Sequence, residues 1–296
     1  MRDFSTVPVQ RLMALRQYPG FADADLAELA VLAENVIEED FAAGAVVTRP
    51  GRVPSLHLVV EGRISMGATS WGPRDLVGAL EAMSGRHTTE PMIATADTRT
   101  LQLSAADFAD ILEDNFGLLS NVRRALARMV LAARRRNAVP PRRPQLATAS
   151  TGALGLVDRL LVLRHQLPFT SGRIHALAAL AEATREISWP TGAVIAHAGD
   201  PATGSYLILE GAVRVRGAER VAGPGDAIGA LEMLGEVPHR DTAEALTPVR
   251  ALECPTAAVL DLIEDHTDLA LAMVATLAAE LLDQPVVGDG DIEAVN

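Results

Sequence analysis

Along the chain the apolar positions change their period in a fixed order, and then do so again. Leu26, Leu29, Ala30, Leu32, Ala33 and Val36 fall at steps of three and four, the spacing of one helix face. Short apolar runs follow, cut by glycine and proline: Ala45-Val46-Val47, then Pro50-Gly51, Leu56 to Val60, Glu61-Gly62 and Ile64-Ser65-Met66. Runs so short and closely spaced, with turn residues between them, predict a small antiparallel sandwich or barrel. Glycine after Glu61 fits a tight reversal that needs positive φ. Phe108, Ile111 and Leu112 restore helical spacing, and Leu119, Val122, Leu126, Met129 and Ala133 predict a longer helix.

The second half repeats this order. Ile174, Leu177, Ala178, Leu180 and Ala181 open it; Ala193-Val194-Ile195, Gly199-Asp200, Tyr206 to Leu209, Glu210-Gly211 and Val213-Arg214-Val215 are its short runs. Val259, Leu262 and Ile263, then Ala270, Val274, Leu277 and Leu281, close it. Identities return too: Arg11-Leu-Met-Ala-Leu-Arg16 comes back as Arg159-Leu-Leu-Val-Leu-Arg164, and Gly44-Ala-Val-Val47 as Gly192-Ala-Val-Ile195, a shift of half the 296 residues. Gly78-Ala-Leu-Glu81 and Gly229-Ala-Leu-Glu232, like Glu113-Asp114 and Glu264-Asp265, have drifted a few places further apart. Constant spacing inside elements with slips at loops is the mark of a duplicated folded domain. The expected domains are 9–136 and 157–284, joined by an Arg/Pro-rich linker at 137–156 and followed by a flexible acidic tail at 285–296. Two readings of the long helices stay open. Their apolar stripes pack on their own sandwiches, or they form a seam with a partner helix through Leu119, Val122, Leu126 and Met129 and through Val274, Leu277 and Leu281.

Composition narrows the chemistry. With 49% hydrophobic residues the chain can bury two ordinary cores. A formal charge of −12 and a pI near 5.0 oppose binding to DNA phosphates. All 26 basic residues are arginine, which excludes lysine chemistry. The one cysteine, Cys254, has no internal disulfide partner and reads as a buried thiol. No run approaches signal-peptide or membrane-span length, so a soluble, cytoplasmic protein is expected. Gly223-Pro-Gly225-Asp-Ala-Ile-Gly229 misses dinucleotide-loop spacing, the seven histidines are dispersed, and no nucleophile elbow occurs. His57, in an alternating strand, reads as a satisfied lone imidazole. The Gly-Asp-Gly-Asp run after Val287 lacks calcium-loop spacing. No enzymatic activity and no metal site are expected.

One stretch is electrostatically unlike the rest. Between Asp114 and Asp158 there is no acid, while Arg123, Arg124, Arg128, Arg134, Arg135, Arg136, Arg142 and Arg143 accumulate. Either a basic helix end satisfies its dipole and leads into a Pro/Ser/Thr linker, or a basic patch grips nucleic acid, an acidic partner or the acidic face of another subunit.

This order of helix, β region with Glu-Gly turns, glycine-led segment and two closing helices resembles the cyclic nucleotide-binding domain of catabolite activator proteins and protein kinase A regulatory subunits. The resemblance covers Leu26 to about Arg136 and Ile174 to about Asp283. It implies an α+β fold: two tandem jelly-roll β-barrels, each flanked by N- and C-terminal helices, with ligand held against a phosphate-binding cassette. In that cassette a short helix offers its amides to the cyclic phosphate, an arginine adds a positive fork and a glutamate accepts from the ribose. The second copy places Gly229, Ala230, Leu231, Glu232, Arg240, Asp241 and Thr242 there, with Arg240 as candidate phosphate arginine and Thr242 as a nearby hydroxyl. Alanine stands at the ribose position, and Glu232, two residues later, is turned by about 200° on a helix. The first copy places Gly78, Ala79, Leu80, Glu81, Arg86, Thr88 and Thr89 there; Arg86 and His87 come early, and Glu90 opposes a phosphate. Catabolite activator relatives carry a helix-turn-helix after the long helix, which the residues after Asp283 do not resemble. The expectation is a non-enzymatic regulatory or structural adaptor with degenerate pockets, acting through protein contacts or self-association. The alternatives are a sensor of cAMP or cGMP through the second domain, and nucleic-acid binding through the basic linker.

Overall fold

A computed structural model describes residues 9–137, 152–164, 166, 174–217 and 220–284. Most of the expected linker at 137–156, with Arg142 and Arg143, lies outside the described residues, as does the tail at 285–296. The chain forms two compact units: one runs to Val122 and resumes at Leu277, and the other is Arg123–Thr276. Their boundaries fall within the two long helices, so a unit is not the same stretch of chain as a sequence repeat.

The first unit opens with α1 (Val9–Leu15) and α2 (Leu26–Asn35). Asp25 starts α2 through a capping box: Glu28 N donates to Asp25 Oδ1 at 2.8 Å and Asp25 N to Glu28 Oε2 at 2.9 Å. Leu29, Ala30, Leu32 and Ala33 are buried, as their spacing predicts. Tyr18, between the helices, is buried and donates its hydroxyl to Val59 O at 3.0 Å, which ties the helical head to the barrel. Burial, with the charge of Asp75, holds that phenol above its usual range.

The strands follow: β1 (Ile37–Phe41), β2 (Val46–Thr48), β3 (Gly51–Arg52), β4 (Ser55–Glu61), β5 (Ile64–Met66), β6 (Thr69–Trp71) and β7 (Leu76–Val77). The short helix α3 (Ala79–Ser84) precedes β8 (His87–Thr88), β9 (Met92–Ala94) and β10 (Thr98–Ser104), and α4 (Ala105–Asp114) leads into α5 (Phe116–Asn137). Antiparallel pairing gives one sheet in the order β1-β10-β4-β7, a second in the order β2-β9-β5-β6, and the pair β3-β8. Val53, Val59, Ile64, Val77 and Met92 form a core with Val47, Met66 and Trp71 packed against it.

The second unit takes α5 from Arg123 onward, then α6 (Leu156–Arg164), α7 (Ile174–Ala183), β11 (Arg185–Trp189), β12 (Val194–Ala196), β13 (Gly204–Glu210), β14 (Val213–Arg216), β15 (Arg220–Ala222) and β16 (Ala227–Ile228). After these come α8 (Ala230–Gly235), β17 (Thr242–Ala245), β18 (Val249–Pro255), α9 (Thr256–Asp265) and α10 (Thr267–Leu282). Its sheets run β11-β18-β13-β16 and β12-β17-β14-β15, the first repeat's order strand for strand. Small side chains, Ala196, Ala222, Ala243 and Ala245, share its core with Ile208, Val213, Val215, Ile228 and Val249. Both repeats are thus the jelly-roll barrel with flanking helices that the sequence implied.

The Glu-Gly turns explain part of this likeness. Gly62 and Gly211 have φ of 85° and 92°. A Cβ on either would run into backbone, Asp97 O in one repeat and Pro248 O in the other, so glycine is required twice over.

The long-helix stripes are covered within the chain. Leu119, Val122, Leu126 and Ala133 are buried, as are Val274 and Leu277, and Leu281 is half-buried. Met129 alone of the first set is exposed, at 39%. Of these stripes, Met129 and the half-buried Leu281 are what remains for a second copy to cover.

Candidate functional site

Each cassette is a six-residue helix entered through a left-handed glycine. At Gly78 (φ 81°) a Cβ would come within 2.9 Å of Val53 Cγ1; at Gly229 (φ 81°) it would lie 2.7 Å from His239 Cε1. The backbone can approach its neighbours this closely only because no side chain intervenes.

In the first cassette Gly78 and Ala79 are buried, Leu80 is half-buried and Glu81 is 6% exposed. Burial raises the Glu81 carboxyl above the ordinary range, with a backbone hydrogen bond opposing it. Arg86 follows Gly85, which ends α3 in a left-handed turn, and points to Asp283 in a two-point ion pair at 2.6 and 3.0 Å. Thr88 is buried and donates its hydroxyl to Gly51 O at 3.3 Å, while Thr89 and Glu90 are exposed. Of these candidates, the polar side chains turned inward are Glu81 and Thr88, neither of them a cation.

In the second cassette the inward residue after the helix is His239, buried at 7% exposure with its ring against Gly229. Its backbone is fixed on both sides, His239 N donating to Asp200 O at 2.9 Å and Gly199 N to His239 O at 2.8 Å. Thr88, paired with Gly51, holds the corresponding place in the first repeat. Arg240, one residue on, is exposed. Ala230, Glu232, Asp241 and Thr242 are half-buried and Leu231 is buried. Thr242 opens β17, and its hydroxyl accepts from Ala198 N at 3.2 Å.

Arg220 on β15 is a charged residue no motif singled out. Burial pulls its guanidinium pKa down, and Arg134 adds to that; Asp226, Glu232 and Asp241 act against it. Two of the cassette candidates, Glu232 and Asp241, thus lie in the electrostatic field of one arginine. Among the described residues no group of His, Cys, Asp and Glu could hold a metal ion.

Residues 186–266 match the family model of the cyclic nucleotide-binding domain. The second repeat is a cyclic nucleotide-binding domain. Because the first repeat has the same strand order, the chain is a tandem of cyclic nucleotide-binding folds. It is 27% identical over 114 residues to the CRP-like cAMP-activated global transcriptional regulator of Mycobacterium tuberculosis, 36% of this chain and 51% of that protein. The chain thus spans about half the length of the curated relatives it matches. It is also similar to the regulatory domain of Toxoplasma gondii PKA crystallised with cAMP (17% identity, 95% of this chain and 99% of that one, TM-score 0.36). A third likeness is to the sensor domain of the transcriptional regulator DNR from Pseudomonas aeruginosa (23% identity, 45% and 96%, TM-score 0.39).

Three members of the arginine run, Arg123, Arg124 and Arg128, meet the second cassette within the unit Arg123–Thr276. Arg123 on α5 is 2% exposed and donates to Leu234 O and, at 2.7 Å, to Glu236 Oε1. Arg124 reaches Glu236 Oε2 at 3.1 Å, and Arg128 Nε donates to Gly235 O at 2.8 Å. Arg123 and Arg128 satisfy carbonyls at the C-terminal end of α8, whose dipole favours positive charge, and Arg124 pairs with the carboxylate that follows it. Neither reading of the run as a helix end with linker, nor as an outward patch, anticipated this. Its members are separated from α8 by about a hundred residues of chain, so no local spacing announces the contact. Glu236 has φ 50°, a left-handed turn that a non-glycine residue adopts at a cost. Burial would lift its carboxyl, but the hydrogen bonds and charges of Arg123 and Arg124 outweigh that and hold it below the usual range.

Proposed function

We propose that this protein is a non-enzymatic, cytoplasmic regulatory module whose first cyclic nucleotide-binding domain serves as a protein-binding surface and not as a ligand site. The observation that carries this reading is the buried Glu81 in the first turn of α3. A cyclic phosphate entering there would meet a carboxyl and a threonine in place of an arginine fork, and a second anion in a desolvated site raises the cost of both. The protein partner is engaged by surface, since neither cassette carries the full set of cyclic-phosphate groups.

The second domain supports a second reading. His239 lies buried against Gly229, Arg220 sits among Glu232 and Asp241, and the M. tuberculosis relative is described as cAMP-activated. In this reading Gly229, Ala230, Leu231, Glu232, Arg240, Asp241 and Thr242 form a site for cAMP or cGMP. Nucleic-acid binding through the basic linker is the weaker alternative, since Arg123, Arg124 and Arg128 are engaged with α8.

Calorimetric titration of cAMP and cGMP into the full chain separates these readings. The adaptor reading expects no heat of binding in the first domain and no change in Glu81→Ala; saturable binding lost in Arg240→Ala or His239→Ala, with no second site, assigns a sensor to the second domain alone. Two equivalent sites would overturn the proposal. Failure to retard DNA at low salt removes the third reading.

A further inference from the structure

Each cassette ends on an ion pair with a terminal helix of the sibling repeat, and the two pairs have opposite polarity. In the unit Arg123–Thr276, α8 is followed by the acid Glu236, and α5, which belongs by sequence to the first repeat, brings Arg123 and Arg124 to it. In the other unit α3 is followed by the base Arg86, and the chain beyond α10, which belongs to the second repeat, brings Asp283. The cassettes share Gly-Ala-Leu-Glu and the left-handed entry glycine, so their surfaces descend from one ancestor. Two related surfaces and two related helices invite mispairing unless something discriminates them.

We propose that this inverted polarity is a pairing code: the basic face of α5 is specific for the end of α8, and the acidic end of α10 for the end of α3. Exchange would set Arg123 and Arg124 against Arg86, and Asp283 against Glu236. Arg123 is nearly fully buried, so a cation in place of Glu236 would leave it desolvated and repelled, the costliest arrangement for a charge. Helix electrostatics argue in the same direction. An acid at the C-terminal end of α10 is opposed by that helix's own dipole, so Asp283 does not serve its own helix and is explained by Arg86. Arg123 and Arg124 lie within the first half of α5, too far from its C-terminus to act on its dipole. The code also disfavours assemblies in which a second copy docks its own α5 on α3. It makes the end of each cassette the seat of the sibling repeat's helix, so that displacing α8 is felt on α5. This inference does not depend on whether either pocket holds a ligand.

The test is charge reversal in the full chain, read by hydrogen exchange of the α3 and α8 amides. Arg124→Glu is expected to speed exchange across 230–235, Glu236→Arg to speed it more because the buried Arg123 then faces a cation, and neither to alter α3. Arg86→Asp and Asp283→Arg are each expected to speed exchange across 79–84 and to leave α8 alone, and their double variant to restore protection. Single reversals at these part-exposed pairs should change protection by about three-fold or more. Arg124 is used because it is more exposed than Arg123, and a reversed Arg123 would risk the fold itself. Additive damage in the Arg86→Asp/Asp283→Arg double variant, or no effect of any single reversal, overturns the code. So does a dimer appearing in Glu236→Arg with native protection at α8, because that would mean the helix choice is not set by charge.

Discussion

Tyr206 meets Trp189 edge to face, with ring centroids 5.2 Å apart, and His57 meets Phe41 the same way at 5.7 Å. The first strand of each barrel thus lends a ring to the same place on the strand two positions across the sheet, β4 in one repeat and β13 in the other. The substitution matters because Tyr206 is half-buried, whereas His57 is 2% exposed. Its Nδ1 lies 3.3 Å from Thr100 Oγ1, and burial lowers its pKa from 6.5 to about 4.

That buried imidazole gives stability a defined pH window. Folded protein keeps His57 neutral down to about pH 4, while the unfolded chain takes up its proton near 6.5. The unfolded state therefore binds more protons between these values, and stability falls as pH drops from about 6.5 to about 4 and levels off below. Across the window the loss is at most about 3 kcal/mol. Urea midpoints measured from pH 7 to pH 4 should fall through this range in the native chain and run flatter in His57→Leu. Glu236, whose carboxyl is held low by Arg123 and Arg124, contributes separately: its share is present above the ordinary carboxylate range and is lost only as pH falls through its depressed value. Parallel curves for the native chain and His57→Leu would refute the assignment.

Two glycines with nearly the same φ should differ sharply on substitution. A Cβ on Gly44 (φ 86°) would meet no described atom within 4 Å, whereas on Gly62 (φ 85°) it would collide with the backbone of Asp97 and Thr98. Gly44→Ala is expected to cost only the left-handed backbone term, about 1–2 kcal/mol. Gly62→Ala must also move a neighbouring strand end and should cost well over that, with lowered expression. Equal urea midpoints for the two variants would contradict the crowding at the Glu-Gly turn.

Much of this architecture was written in the sequence. The stripes Leu29–Ala33 and Phe108–Leu112 became buried helix faces, and Glu61-Gly62 with Glu210-Gly211 became turns, because both signals are local and their physics is the same in any fold. The helices α1 and α6 gave no such signal. Leu15 and Leu163 are their buried residues, while Val9, Met13, Val157 and Leu161 face outward at 71%, 61%, 69% and 47% exposure, so apolar content there does not mark an inner side. The cassette was legible as a motif but not as a site. On an extended segment neighbouring side chains point to opposite sides, so the sequence Pro238-His239-Arg240 locates an inward position only to within one residue, and it is His239 that is buried. The Arg123–Glu236 contact was invisible for another reason: its partners lie far apart in the chain, where periodicity carries no information.

Cys254 is expected to be silent in the native state. It is buried on β18, and burial pushes its thiol up to about 12, Glu253 adding to the rise and a hydrogen bond with Ser205 opposing it. A thiol this high holds almost no thiolate at neutral pH. Ellman's reagent should therefore label the chain at the rate of unfolding and stoichiometrically in urea. Rapid labelling in buffer would show that β18 opens locally.

The last prediction separates burial from charge within one cluster. Arg123 and Arg124 are adjacent and both bond Glu236, yet their side chains are 3% and 26% exposed. Removing Arg124 deletes half of a part-exposed ion pair, worth about 1 kcal/mol or less. Removing Arg123 does more. Leu234 O loses a donor inside the protein, and an unsatisfied buried acceptor costs about 1–3 kcal/mol. The aliphatic stem leaves a void against α8 as well. Against this stands relief of the desolvation that already lowers the Arg123 pKa, reinforced by the neighbouring charges of Arg124 and Arg128. If desolvation dominates, Arg123→Met, which keeps the stem and discards the charge, will be as stable as the native chain while Arg123→Ala is not. If the hydrogen bonds dominate, both will fall by a similar amount and Arg124→Ala will fall least. The polarity of the Glu236 turn, held at φ 50° by its two arginines, favours the second outcome. Urea denaturation of the three variants at pH 7 decides between them.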